Sequence, residues 1–143
     1  GPSEESILKA DVVIMGPGSL YTSILPNLMV PGIRDALLNT PALKIYVCNV
    51  ATEIGETQHF SIEDHVEALI KHTDENIIDY VIANNNIVDI GDRFMGSSVP
   101  ISNKIIRGVL VEYADLLDVD HPVRHDSNKL AKSILKISNR WKP

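Results

Sequence analysis

The distribution of apolar residues along the chain predicts four short strands. Four runs are rich in β-branched residues, namely 11–15 (DVVIM), 44–49 (KIYVCN), 79–83 (DYVIA) and 105–112 (IIRGVLVE). The first three runs show no alternation of polar and apolar positions. Continuous apolar strands are buried on both faces, which is typical of a parallel sheet covered by helices.

Helical periodicity follows three of these runs. Residues 31–39 begin with Pro31, which suits the first position of a helix. After Ser61, apolar residues recur at the i, i+4, i+7, i+8 spacing of an amphipathic helix that reaches about residue 73. A last helix is expected to start at Asp126 or Ser127, and its apolar stripe comprises Leu130, Ile134, Ile137 and Trp141. The order of elements predicts an α/β fold, a Rossmann-like open and mostly parallel sheet flanked by helices.

Composition and charge narrow the class of protein. The chain has 143 residues, of which 44% are hydrophobic and 22% are charged, as in soluble globular domains. Its net charge is −6, and no two Lys or Arg residues are adjacent, so we do not expect a nucleic-acid polymer as a partner. No apolar stretch is longer than that of residues 12–15, which is far too short to span a membrane. A single cysteine excludes an internal disulfide, and a reducing cytosol is the default location.

The first residues are interpreted as foreign to the fold. The chain starts with Gly-Pro-Ser rather than with methionine, which is typical of the remnant of an expression tag. We therefore assign residues 1–3 to such a remnant and residues 4–143 to the domain, and we expect the domain to be part of a longer protein.

Polar, glycine-containing segments follow the first three predicted strands. They are residues 16–23 (GPGSLYTS), 49–57 (NVATEIGET) and 84–86 (NNN). In a parallel sheet these segments share the edge at which open α/β folds bind ligands. In the first segment, Gly16 and Gly18 allow a positive φ and a close backbone approach, while Ser19, Thr22 and Ser23 add hydroxyls near a helix start. This pattern fits a phosphate cradle, and it fits an ordinary strand-to-helix turn equally well.

Other chemistry-bearing residues give weaker signals. Five residues near the second strand, Glu53, Glu56, His59, Asp64 and His65, match no standard zinc spacing. His65 is better explained by packing, and Cys48 reads as an inert buried thiol. The polar run 121–126 is best explained as a loop that leads into the last helix. Arg93 fits either a bidentate diphosphate contact or a solvated surface position.

Three segments carry a resemblance to a known family. GPGSLYTSILPNLMVPGI (16–33), YVCN…GET…F…DHVEAL (46–69) and DYVIANN (79–85) resemble the YvcK-like branch of the CofD family, the gluconeogenesis factors. The resemblance implies a Rossmann-type fold about twice as long, so residues 4–143 are expected to be its carboxyl-terminal part. It also implies a bacterial cytoplasmic protein that binds UDP sugars such as UDP-N-acetylglucosamine. Its role would be to support cell shape and envelope synthesis on gluconeogenic carbon sources.

The resemblance also assigns ligand-binding residues. The signature loop contributes Gly16, Gly18, Ser19, Tyr21, Thr22 and Asn27. The later strand ends contribute Asn49, Thr52 and Asn85, and Arg93 precedes an aromatic residue as in the family. No catalytic residue, metal or resident cofactor is assigned, since the UDP sugar is the ligand.

Two other functions are weighed against this one. The CofD branch transfers a phospholactyl group onto a deazaflavin precursor, and such an enzyme would need Mg²⁺ held by carboxylates. An oligomerisation module is the other alternative, in which residues 25–30 (LPNLMV) form an exposed partner surface. Homo-oligomers and contacts with cell-envelope synthesis proteins stay open.

Overall fold

The computed structural model describes residues 2–18, 20–48, 62–84, 105–114 and 126–141. The helices are α1 (Pro2–Lys9), α2 (Leu25–Leu28), α3 (Pro31–Asn39), α4 (Ile62–His72) and α5 (Ser127–Arg140), and a π-helical turn, Leu20–Ile24, runs directly into α2. The strands are β1 (Val12–Met15), β2 (Leu43–Val47), β3 (Tyr80–Asn84), β4 (Ile105–Ile106) and β5 (Val109–Ala114). No helix in these ranges is long and apolar enough to cross a membrane.

The strands form one mixed, mostly parallel sheet. Their spatial order is β1-β2-β3-β5-β4. The first four of these are parallel neighbours, and only β4 runs antiparallel to β5. Ile14 lies beside Ile45, and Val81 lies between Tyr46 and Val111. This arrangement confirms the predicted α/β class.

Helices cover both faces of the sheet. On one face, the π-helical turn and helices α2, α3 and α4 pack against Met15, Tyr46, Val81 and Val111. On the other face, α5 places Ile137 against Leu43, Ile45 and Ile82, with Leu130 and Ile134 beside it. Three residues of the predicted stripe therefore face the core, whereas the fourth, Trp141, follows the end of α5 and is exposed. Asp126 is the residue that caps this helix, because its carboxylate accepts the N–H groups of Asn128 and Lys129 at 2.9 and 3.1 Å.

A buried lysine, Lys44, lies at the amino end of the sheet and bonds to neighbouring segments of the chain. Lys44 Nζ donates to the carbonyls of Leu37 and Asn76 at 3.0 and 2.6 Å, and its backbone N–H donates to the Asp79 carboxylate at 2.9 Å. Desolvation lowers the pKa of Lys44, while the charges of Asp79 and Asp74 raise it. This network joins α3, β2 and the segment before β3.

Two sequence predictions need correction. The run 105–112 is not one strand but a hairpin, β4 and β5, whose turn residues Arg107 and Gly108 have φ of 49° and 82°. Two positive φ values define a type I′ turn, for which glycine and asparagine are the usual residues. In addition, β2 begins and ends earlier than the predicted 44–49, at Leu43 and Val47.

Helix α1 was not predicted at all. It begins at Pro2, inside the residues that the sequence analysis assigned to a tag remnant. Ile7 of α1 packs against the core, and Thr40 Oγ1 donates to its carbonyl at 2.9 Å. The helix is thus joined to α3 and to the start of β2.

Candidate functional site

The carboxyl ends of β1, β2 and β3 meet at one edge of the sheet, as expected for parallel neighbours. Only the loop after β1 lies in the described residues, and Ser19 falls in a one-residue gap within it. The predicted ligand contacts of the later loops, Asn49, Thr52, Asn85 and Arg93, also lie outside the described residues. Glu53, Glu56, His59 and the cluster 121–125 do so as well.

Gly16 turns the chain sharply at the end of β1. Its φ is +93°, and a Cβ at this position would lie 3.0 Å from the Val47 carbonyl oxygen and 3.3 Å from the Gly18 nitrogen. A side chain would therefore be strained and would press on the neighbouring strand. Gly18 does not use a positive φ, and among the described residues a Cβ there would make only ordinary contacts of 3.5 Å. The sequence pattern predicts the same role for both glycines, whereas the structure requires glycine at position 16 and not at position 18.

The π-helical turn that follows contains both buried and exposed residues of the signature loop. Leu20 and Ile24 are buried in the core, while Tyr21, Thr22 and Ser23 are exposed. In α2, Asn27 is exposed, and its side-chain amide donates to the Ser23 carbonyl at 2.8 Å. Within the proposed partner surface 25–30, Leu25 and Leu28 are buried, whereas Met29 and Val30 are exposed. The stretch is therefore mostly a helix that anchors the loop to the core.

A cavity of about 410 Å³ opens beside this loop at the end of β1. Its polar lining consists of Gly16, Gly18, Ser23 and Asn27, and its apolar walls include Ile14, Ile24, Leu28 and Ile33. The structure thus brings together three of the predicted ligand contacts: Gly16, Gly18 and Asn27. Tyr21 and Thr22 do not line this cavity, and the Tyr21 ring instead packs edge-on against His72 of α4.

The apolar walls are the part of the site that sequence reasoning missed. Ile14 belongs to β1, and Ile33 belongs to α3, so only the fold brings them together. The one sequence signal for Ile14 is its place in a continuous apolar strand that stops at Gly16. Such a signal cannot distinguish a core residue from a residue that lines a cavity.

Two buried side chains at the carboxyl end of β2, Tyr46 and Cys48, stay protonated at neutral pH. Burial raises the pKa of the Cys48 thiol to about 12, while its hydrogen bond with Tyr46 lowers it. The hydroxyl pKa of Tyr46 is raised well above its usual range by burial. His65 is buried within the core face of α4. Within the described ranges, no three His, Cys, Asp or Glu residues come close enough to hold a metal ion.

Comparison with known proteins identifies the family. The sequence profile of the family described as 2-phospho-L-lactate transferase CofD matches residues 3–139, which is nearly the whole chain. The chain belongs to the CofD family. This confirms the resemblance that the signature segments carry.

Among its relatives, this CofD-family chain is similar to proteins named gluconeogenesis factor. It is 40% identical over 146 residues to the one from Bacillus subtilis and 35% identical over 141 residues to the one from Halalkalibacterium halodurans. Each match covers 92% of this chain but 44% of the relative. The crystal structure of a UPF0052 family member from Bacillus halodurans superposes with a TM-score of 0.84 at 33% identity, covering 94% of this chain and 46% of that one. The chain thus spans less than half the length of these relatives.

Proposed function

We propose that this CofD-family chain binds a nucleotide sugar of the UDP-N-acetylglucosamine type at the carboxyl end of β1. In this proposal it acts within a cytoplasmic regulatory protein that supports cell shape and envelope synthesis during gluconeogenic growth. Similarity to gluconeogenesis factors supports the regulatory role. Because the chain spans less than half of these relatives, the activity of the whole protein belongs to the proposal.

The main observation in support of this proposal is the turn at Gly16, a residue that has no side chain and that lines the cavity. A Cβ at Gly16 would lie 3.0 Å from the Val47 carbonyl oxygen and would be strained, and Gly16 itself lines the cavity, so main chain borders the cavity there. Successive backbone N–H groups in a turn can bind phosphate oxygens. Pro17 has no N–H, so in this proposal Gly16 and Gly18 would supply the donors of the described turn. The proposal places the diphosphate there, and it adds Arg93 and the Ser19 backbone from outside the described residues.

Asn27 and the apolar walls would bind the rest of the ligand. A side-chain amide offers both donors and an acceptor, which suits sugar hydroxyls or the polar edge of a base. Ile24 and Leu28 present aliphatic surface to the same cavity. A volume of about 410 Å³ lies within the range of roughly 300–1,000 Å³ that is typical of small-molecule sites. In this proposal Asn49, Thr52 and Asn85 complete the polar contacts.

A transferase is the second candidate, because the matching family profile bears the name of one. Such an enzyme would position Mg²⁺ with carboxylates beside the phosphates. The residues that line the described cavity include no Asp or Glu. Turnover of a nucleotide-diphospho donor in the presence of Mg²⁺ would favour the transferase, and saturable binding without turnover would favour the regulatory protein.

Titration of UDP-N-acetylglucosamine into the protein, with two matched asparagine variants, tests the binding site. Asn27 and Asn39 each donate a side-chain N–H to the carbonyl four residues earlier, and both distances are 2.8 Å. Replacing either by Ala therefore removes the same local bond. Only Asn27→Ala should weaken binding, by about fivefold for the loss of about 1 kcal/mol of hydrogen bonding. Absence of saturable binding, or equal weakening by Asn39→Ala, would contradict the proposed site.

A further inference from the structure

The face of the sheet that carries α5 is only partly covered by that helix, which packs against β2 and β3. Beyond β3, Leu110 of β5 is in register with Tyr80 on one side and with Ile105 of β4 on the other. These three side chains form a row on the α5 face, because the neighbours of Leu110, Val109 and Val111, belong to the core of the opposite face. Tyr80 is half-buried, Leu110 is 38% exposed and Ile105 is 62% exposed. The row is therefore apolar and becomes more exposed with distance from α5.

A cavity of about 430 Å³ lies beside this row. Its lining includes Tyr80, Ile105 and Leu110, together with Glu112 of β5 and Arg140 of α5. Neighbouring strands are about 4.8 Å apart, so the uncovered surface of β4 and β5, the β4–β5 strip, is about 10 Å wide. Helices that pack side by side have axes about 8–10 Å apart. The β4–β5 strip thus has the width of one helix lying beside α5.

The flank of α5 that borders the β4–β5 strip is basic. Four cations, Lys129, Lys132, Lys136 and Arg140, recur at intervals of three and four residues, which places them on one side of the helix. This side borders the strip, because Lys136 and Arg140 reach the Glu112 carboxylate at 3.4 and 2.7 Å. Glu112 is the one acidic residue among the described residues that line the cavity. The strip therefore has a positive rim, although the net charge of the chain is −6.

The charge and shape of the strip indicate its occupant. A second copy related by two-fold symmetry would bring two basic rims into one interface, and like charges across an interface are unfavourable. A nucleic-acid backbone or an anionic lipid surface would match the charge but would leave the recessed apolar row unfilled. We propose that the β4–β5 strip binds an amphipathic helix of a partner protein. The apolar stripe of that helix covers Leu110 and Ile105, and its acidic flank faces α5.

This surface is separate from the candidate ligand cavity. That cavity lies between β1 and helices α2 and α3, on the opposite face of the sheet, whereas the β4–β5 strip begins beyond β3. A partner helix on the strip therefore leaves the ligand cavity open, and its binding does not require the nucleotide sugar.

Titration with a designed peptide tests this docking surface. The probe has about 18 residues, with leucine at every third or fourth position of one stripe and glutamate on both flanks. We expect saturable binding to the protein that weakens about tenfold when the salt concentration rises from about 0.05 M to about 0.5 M, because salt screens the attraction between probe and rim. The same peptide with lysine in place of glutamate should not bind. Absence of saturable binding, equal binding of both peptides, or binding only to vesicles of anionic phospholipid would overturn the proposal.

Two matched pairs of variants locate the binding of the acidic peptide. Ile105 and Leu135 are each 62% exposed, but Leu135 does not line the cavity. Ile105→Ala should weaken binding about tenfold, and Leu135→Ala should leave it unchanged. Lys132→Gln should weaken binding about threefold, whereas Lys71→Gln, on α4 at the opposite face, should have no effect. All four residues are exposed, so the melting temperatures should stay close to that of wild type. Equal effects within either pair would contradict binding at the β4–β5 strip.

Discussion

The two ends of the parallel strands use polar residues in opposite ways. At the amino end, Lys44 is buried, and both its side chain and its backbone bond to groups of the same chain. At the carboxyl end, Ser23 and Asn27 remain exposed beside a cavity, and a side chain at the Gly16 turn would be strained. Removing one partner of a buried hydrogen bond lowers the free energy of unfolding, because the other partner is left unsatisfied. An exposed polar group can instead bond to water or to a ligand. The amino end is therefore expected to control folding, and the carboxyl end to control binding.

The largest expected effect is at the amino end. Lys44→Met keeps the length of the side chain but leaves the carbonyls of Leu37 and Asn76 without their charged donor. We expect the free energy of unfolding to fall by about 3 kcal/mol, because hydrogen bonds to charged groups are worth roughly 1.5–3 kcal/mol each and some desolvation cost is relieved. Urea unfolding followed by circular dichroism measures this loss.

Lys71→Met is the matched control for this change. Lys71 lies in the last turn of α4 and is exposed, so its replacement should change stability by less than about 0.5 kcal/mol. If Lys44→Met and Lys71→Met lower the free energy of unfolding by similar amounts, the hydrogen bonds of Lys44 do not stabilise the fold as expected.

A smaller effect is expected at the turn after β1. Gly16→Ala should lower the free energy of unfolding by about 2 kcal/mol, because alanine is strained at a φ of +93° and its Cβ meets the Val47 carbonyl. Gly18→Ala should have little effect on stability, since its Cβ has room. The same urea titrations apply, and equal losses from both variants would show that the two glycines are alike, as the sequence first indicated.

The elements that sequence reasoning found are those whose signal is local. Strands β1 to β3 are continuous apolar runs, and α4 and α5 have clear helical spacing, so their patterns depend only on neighbouring positions. The hairpin was missed because Arg107 holds a turn position at which asparagine or glycine is usual. Helix α1 was missed because a short helix whose contact with the core depends on Ile7 has a weak periodic signal.

The site was predictable only in part, for a similar reason. A glycine at the end of an apolar strand signals a tight turn, so Gly16 could be singled out from the sequence. Asn27 came from the resemblance to the family, since an exposed asparagine in a helix carries no signal of its own. The apolar walls depend on α1 and α3 packing beside β1, which is a tertiary contact that no spacing rule encodes.

The pH dependence of stability tests whether the buried Cys48 thiol, which directly follows β2, stays protonated in the folded protein. Burial keeps the Cys48 thiol protonated up to about pH 12, whereas an unfolded chain loses this proton near its ordinary pKa of 9.0. Between these values the unfolded state binds fewer protons, so stability falls as pH rises, by about 1.4 kcal/mol per pH unit. From about pH 8 to about pH 10, wild type should therefore lose about 1.4 kcal/mol more than Cys48→Ala.

The difference in stability between wild type and Cys48→Ala, measured across pH, reports the ionisation of the Cys48 thiol. The cavity left by Cys48→Ala costs stability at every pH and cancels in the difference. Cys48 also raises the pKa of Tyr46, but burial is the larger cause of that shift and is common to both proteins. Equal pH dependence in the two proteins would mean that Cys48 ionises in the folded state. The carboxyl end would then contain an ionisable thiol, and its exposed polar residues would no longer contrast with a Cys48 that stays protonated.

The smallest expected effect concerns exposed ion pairs at the amino end. Arg107 bonds to Glu67 and Glu75 at 2.8 and 3.0 Å, but it is exposed and sits at a φ of 49°. Arg107→Asn removes both ion pairs and supplies a residue that prefers this turn, so the melting temperature should change by no more than about 2 °C. In about 1 M salt the ion pairs are screened while the turn preference remains, so the variant should become the more stable protein. A large loss of stability that salt does not reduce would mean that exposed pairs, and not only Lys44, hold the amino end together.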